Sequence, residues 1–120
     1  MSDRLLYEKR QWGEYHVLHE RTFPDGTSAL TKELIIEAGK SISYQRHFHR
    51  DEYWTIVDGE GEIIIDGVQK LVKRGDSFII HRNQLHAIRA NNDCASLIIV
   101  EVQLGPILSE EDIQRLPKSW

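Results

Sequence analysis

Gly39-Lys-Ser-Ile-Ser-Tyr-Gln45-Arg-His47-Phe-His49-Arg-Asp-Glu52-Tyr-Trp54-Thr-Ile-Val-Asp-Gly59-Glu60 is the stretch that decides how the chain is read. As a strand, with its period of two, it places Gln45, His47 and His49 on one face, continuing Ser41 and Ser43. Three nitrogen or oxygen donors then stand in a row, and Glu52 arrives just after the strand turns. Such a set suits a first-row divalent metal, held at about 2.0–2.2 Å in the case of zinc. A His-x-His pair followed by an acid also describes a solvated strand edge. Two features favour the metal. A small barrel has no reason to turn a continuous polar face inward without a use for it, and His86 offers a further ligand near the end of a later apolar strand.

Outward from this stretch the chain is a succession of short β-rich segments. Trp12-Gly-Glu-Tyr-His-Val-Leu precedes the turn signal Phe23-Pro-Asp-Gly-Thr, and Ser28-Ala-Leu-Thr-Lys-Glu-Leu-Ile-Ile-Glu closes at Ala38-Gly39. Tyr53-Trp-Thr-Ile-Val, Glu62-Ile-Ile-Ile, Val68-Gln-Lys-Leu-Val, Ser77-Phe-Ile-Ile, Leu85-His-Ala-Ile-Arg and Ser96-Leu-Ile-Ile-Val-Glu-Val-Gln follow, separated by Asp58-Gly59, Asp66-Gly67 and Arg74-Gly75. Turns every 8–12 residues or so predict an all-β sandwich or barrel. Only the end reads as helical: Ser109 caps a short helix over 109–116, acidic in its first turn and stopped by Pro117. Residues 1–11 read as a loosely held arm. His16 and His19 read as surface or packing histidines.

The 120 residues fit a single domain able to bury one core. A net charge of −4 with no basic patch argues against nucleic acid or an anionic membrane as a partner, while leaving room for a small phosphorylated ligand. Cys94 is the only cysteine, which excludes an intrachain disulfide and a thiolate zinc cluster. No signal core or bilayer-length apolar run is present, so a cytoplasmic location is the default expectation.

The opening stretch resembles the first motif of the cupins, small double-stranded β-helix (jelly-roll) barrels. That motif runs Gly, five residues, His, one residue, His, three or four residues, Glu, six residues, Gly. From Gly39 it falls on Gln45, His47, Glu52 and Gly59, with Gln in place of one His. A second motif follows Gly75, with His81 for its usual Pro, Asn83 for its second Gly, and His86 in place. The resemblance implies Gln45, His47, Glu52 and His86 as the metal set, His49 being an alternative ligand. It implies one divalent ion, zinc first, with manganese, iron, cobalt or nickel also compatible, and a homodimer.

Arg10-Gln-Trp-Gly-Glu-Tyr, Ser43-Tyr-Gln-Arg-His-Phe-His-Arg-Asp-Glu-Tyr-Trp54 and Glu101-Val-Gln-Leu-Gly-Pro-Ile-Leu-Ser-Glu-Glu-Asp-Ile-Gln-Arg115 look like the type II phosphomannose isomerase domain. In that family the cupin often follows a mannose-1-phosphate guanylyltransferase domain. Here it stands without a Gly-rich nucleotide segment, so guanylyl transfer is not expected of these residues. The family's usual Arg-Pro-Trp-Gly is Arg10-Gln11-Trp12-Gly13, and its Asp-x-Tyr-Gly-Arg ending is replaced by Leu116-Pro-Lys-Ser-Trp120. The resemblance implies a metal-dependent aldose–ketose isomerase acting on a sugar phosphate. His49 is the expected proton-transfer group with Glu101 as the second catalytic candidate, Gln103 is a substrate-binding residue on the same strand face, and Arg46, Arg50, Lys32 and Arg89 are candidates for the phosphate. Trp54 and Tyr44 read as core packing or as sugar-stacking walls. A non-catalytic metal-containing sugar or sugar-phosphate sensor, or a cupin dioxygenase, are the alternative expectations.

Overall fold

A computed structural model describes residues 6–93 and 95–117. Cys94 and the last three residues lie outside the described residues. Among those described, the chain runs through β1 (Tyr7–Arg10), β2 (Gly13–Thr22), β3 (Ser28–Glu37), β4 (Ser41–Arg46), β5 (Asp51–Asp58) and β6 (Glu60–Ile65). It continues through β7 (Val68–Lys73), β8 (Ser77–Ile80), β9 (His86–Ala90), β10 (Ser96–Gly105) and β11 (Gln114–Arg115). One sheet has the order β1-β2-β3-β10-β5-β8 and the other β11-β4-β9-β6-β7, every pairing antiparallel. The expected strand from Ser28 to Glu37 is β3 itself, and the Asp66-Gly67 signal becomes the β6–β7 hairpin. Both turn residues there have positive φ, 47° and 81°, as a two-residue hairpin of matching twist requires.

Alternation along the central strands divides the interior in two. On β10, Leu97 and Ile99 point inward at one end, and Glu101 and Gln103 at the other. Pairing aligns Leu34, Ile99 and Ile56 in one row, then Lys32, Glu101 and Trp54, then Leu30, Gln103 and Glu52. Ile36, Ile56, Ile63, Ile88, Leu97 and Ile99 are fully buried and close one end of the barrel. The polar half therefore has a dry, packed floor beneath it.

Two expectations are corrected at the chain ends. Residues 7–10 are strand β1, paired to β2 from Tyr7↔His16 to Arg10↔Gly13, rather than part of a loose arm. Tyr15 Oη donates to Glu8 at 2.5 Å, and the Tyr7 and His16 rings lie 4.9 Å apart, which ties the strand down.

The helix expected over 109–116 is absent. Glu110 and Glu111 form a turn, and Gln114–Arg115 pair with β4. Ser109 Oγ accepts the Glu111 N–H at 3.1 Å, so the cap exists, but a helix this short has little stability of its own. Tertiary bonds capture the segment instead. Asp112 accepts the Phe48 and His49 N–H groups at 3.0 Å each, Arg46 Nε reaches Gln114 at 2.7 Å, and Leu116 N–H bonds to Tyr44 O at 2.9 Å.

This strap should be stability-critical in a way that a surface helix would not be. Asp112→Ala is expected to lower unfolding free energy by about 2 kcal/mol, the scale of losing hydrogen bonds to a charged acceptor. Ser109→Ala should cost under about 1 kcal/mol. Urea midpoints measure both, and an unchanged midpoint for Asp112→Ala would contradict the strap.

Candidate metal centre

The alternation expected along the decisive stretch breaks twice. A bulge between Ile42 and Gln45 shifts the register of β4 on β9, so burial passes from Ile42 to Gln45. The strand then ends at Arg46, and residues 47–50 bend toward β5. His47 stays inside, whereas Phe48 and His49 are exposed. Burial resumes at Arg50 and alternates through Glu52, Trp54 and Ile56. His49 is thus carried away from the place expected for a ligand or a base, and Arg50 takes the interior position.

His47, Glu52 and His86 converge, with ligand atoms within 4.8 Å of one another. His47 Nε2 stands 3.4 Å from Glu52 Oε2, and His86 Nε2 stands 3.8 Å from Glu52 Oε1. Ligands bound to one ion at about 2.0–2.2 Å sit roughly 3.0–3.6 Å apart, so the two His–Glu separations already fit closely and the widest separation, 4.8 Å, has to contract by about 1 Å. His47 Nδ1 lies 2.7 Å from Asp112 O, and His86 Nδ1 lies 3.0 Å from Gln84 O. A carbonyl only accepts, so each Nδ1 carries the proton and each Nε2 turns its lone pair toward Glu52. This is the outer-shell arrangement that orients metal-binding histidines. Burial lowers the His47 pKa, with Arg50 and His86 adding to the fall against Glu52, which favours the neutral ring that a metal needs.

Gln45 pairs with His86 across the strands and is buried on the same cavity wall. Its Nε2 donates to Ser43 O at 3.1 Å, which leaves the amide oxygen as the atom of ligand chemistry. The loop of the second motif also reaches the site. Asn83 adopts φ 71°, a left-handed conformation that Asn tolerates in place of Gly, and its N–H bonds to His47 O at 2.8 Å.

Glu52, 2% exposed, is held from two sides. Arg50 Nε donates to its Oε2 at 2.8 Å and Trp54 Nε1 to its Oε1 at 3.1 Å. Burial opposes its ionisation, but the charge of Arg50, helped by His86 and His47, holds the carboxyl below its ordinary value. Burial also penalises the charge of Arg50, which Glu52 and Glu101 outweigh. Trp54 meets the His86 ring edge-on at 5.6 Å, so it is a wall of the centre as well as core.

Around this centre opens a cavity of ≈ 1220 Å³. Lys9, Arg10, Lys32, Lys40, Arg50 and Arg115 line it, against the carboxylates Glu52, Glu101 and Glu110. A chain of net charge −4 thus concentrates positive charge at one concavity. Lys32 is buried against the Tyr15 ring, 4.2 Å from its centroid, and pairs with Glu110 from the strap. Gln103 Nε2 donates to Glu101 Oε1 at 2.6 Å, so the pair expected at the pocket does lie inside.

Arg46 does not line the cavity; it stacks over Phe48 and bonds to Gln114. Arg89 is held by Glu62, and Tyr44 also stands apart from the cavity wall. Sequence reasoning missed Lys9, Arg10, Lys40 and the strap residues Ser109, Glu110 and Asp112. It also placed Arg50 as a phosphate group only, although an Arg-x-Glu pair on one strand face is a legible signal for an ion pair.

Burial, with Glu52 and against Lys32 and Arg50, pushes the Glu101 carboxyl up from 4.5 to about 7. The folded protein holds this proton more tightly than the unfolded chain. Its stabilising effect is complete below the ordinary value and lost as pH rises through about 7. Glu101→Gln, which cannot ionise, should gain on the wild type by up to about 3 kcal/mol between roughly pH 5 and pH 8. Denaturation of the metal-free proteins across that range measures this, and parallel pH profiles would contradict it.

Residues 4–118 match the family described as mannose-6-phosphate isomerase C-terminal. A mannose-1-phosphate guanylyltransferase of Salmonella montevideo is 33% identical over 120 residues, which cover 100% of this chain and 24% of that protein. The alginate biosynthesis protein AlgA of Pseudomonas putida is 34% identical over 106 residues, covering 88% of this chain and 21% of that protein. The chain thus spans about a quarter or less of the length of these relatives. A cupin-2 domain protein of Rhodospirillum rubrum superposes with a TM-score of 0.67 at 17% identity, over 88% of this chain and 66% of that one, which shows the cupin fold. The relatives' names correct the expected aldose–ketose isomerase: along this chain they match proteins named for guanylyl transfer or alginate biosynthesis. Among the described residues, no helix is long and apolar enough to cross a membrane.

Proposed function

This chain belongs to the mannose-6-phosphate isomerase C-terminal family, and we propose that it is a metal-holding cupin domain that binds a phosphorylated sugar without turning it over. In this reading it serves an enzyme of guanylyltransferase type, such as the relatives named for mannose 1-phosphate. The carrying observation is the pairing of two features in one concavity. Two histidines with Nδ1 fixed on backbone carbonyls face a buried carboxylate, and the wall above them is cationic.

His47, Glu52 and His86 would hold the ion, and Gln45 the fourth position. Bound there, a divalent ion supplies a Lewis acid toward sugar oxygens. Zinc, manganese, iron, cobalt and nickel all suit this donor set. Lys9, Arg10 and Lys40 bring positive charge to the β1 side of the cavity, where a phosphate gains from charge-assisted hydrogen bonds. Gln103 and Glu101 offer amide and carboxyl groups to sugar hydroxyls.

The wild type and a His47→Ala, His86→Ala double variant should be reconstituted with each ion and analysed for metal, then titrated calorimetrically with mannose 1-phosphate, GDP-mannose and mannose. The wild type alone should retain about one ion, and it should bind the phosphorylated sugars at least about tenfold more tightly than mannose. Equal metal in both proteins would remove the ligand assignment. Equal affinity for mannose and its phosphates would remove the phosphosugar.

A further inference from the structure

Among the described residues, Arg50 is the one Lys or Arg side chain that reaches the centre itself, and its contacts fall on the atoms that an ion would use. Nε donates to Glu52 Oε2 at 2.8 Å and Nη2 approaches His47 Nε2 at 3.3 Å, while Nη1 donates to Ser109 O at 3.1 Å. We infer that Arg50 competes with the divalent cation for Glu52 and His47, so that seating the ion requires the guanidinium to let go of the centre. This inference rests on the metal reading above.

The chemistry of the imidazole makes the competition strict. His47 has spent its Nδ1 proton on Asp112 O, so Nε2 carries a single lone pair. That lone pair accepts from an Arg N–H or coordinates an ion, but it cannot do both. Glu52 is less restrictive, since each oxygen has more than one acceptor site. Even so, Trp54 already uses Oε1, and Oε2 faces Arg50. A guanidinium beside a divalent ion in a buried site also adds repulsion between like charges, which low local polarisability leaves poorly screened.

The arginine has somewhere to go. It already lines the cavity, its Nη1 is anchored on the strap at Ser109, and the Glu101 carboxyl on the cavity wall acts on it from a second side. Turned that way, the planar fork presents paired donors toward the cavity, a geometry suited to a phosphate. The arrangement makes one residue do two jobs in turn: it neutralises Glu52 before the ion arrives, then faces the anionic ligand after it.

An orienting arginine and a competing arginine predict opposite effects on metal affinity. Zinc and cobalt should be titrated at neutral pH into the wild type, Arg50→Met and Arg50→Lys, with thermal unfolding followed on metal-free and loaded samples. Competition predicts that Arg50→Met binds the ion tighter by on the order of tenfold, with Arg50→Lys in between. It also predicts that metal-free Arg50→Met melts below the wild type and gains more on loading.

Equal or weaker binding by Arg50→Met, with the wild type binding normally, would overturn the competition and leave the metal centre standing. Absence of metal from all three proteins would overturn the centre and the competition together. Should Arg50→Met fail to fold, the Arg50 Nε–H resonance of the wild type decides. It should shift and lose exchange protection as zinc is added, and an unchanged resonance in the zinc-loaded protein would overturn the inference.

Discussion

A carboxylate buried to 2% exposure is the constraint on which the rest of this barrel depends. Moving the charge of Glu52 out of water is costly unless opposite charge and hydrogen bonds replace the lost solvation. Arg50 and Trp54, two residues away on either side, supply the donors, and His47 and His86 turn their Nε2 atoms toward the same carboxylate, where an ion would join all three. Strand alternation brings Arg50, Glu52 and Trp54 to one face of the chain, so the compensation is local in sequence. The histidines come from other segments. That is what makes the centre a tertiary object.

The split interior explains how such a centre is tolerated in a small protein. Isoleucines and leucines fill one half of the barrel densely, and this half gives the strands their register. A register slip of one residue would expose that packing and bury the outward polar side chains, so the apolar half also aligns the polar half. Lys32, Glu101 and Gln103 are therefore placed by the packing of Leu34, Ile99 and Ile56 beside them. Among the described residues, every buried side-chain polar atom has a partner, so the polar half is a closed network rather than a defect in the core.

The strap after β10 joins stability to the site. Its Asp112 carbonyl fixes the tautomer of His47, its Ser109 carbonyl anchors Arg50, and its Glu110 pairs with Lys32. The acidic run reads as the start of a helix when taken alone, because capping and dipole arguments are local. In the folded chain those same groups find stronger partners across the barrel mouth.

The sequence by itself determined the all-β class and most strand positions, and its resemblance to the cupin motifs named His47, Glu52 and His86 as ligands. These follow from period-two patterning, Asp-Gly turns and ligand spacing, all properties of short segments. Tertiary structure decided the remainder. A bulge in β4 and a bend at 47–50 turned His49 outward and Arg50 inward, and parity counted along a strand cannot anticipate an irregularity set by pairing with another strand. The inward placement of Glu101 and Gln103 was equally undecided by their spacing, because either face of β10 fits a half-buried strand. Lys9 and Arg10 joined the cavity only because β1 pairs with β2, and the strap formed only because Phe48, His49 and His47 were already there to receive Asp112. Long-range pairing chooses which local preference survives, and that choice is written in contacts between distant segments rather than in any one of them.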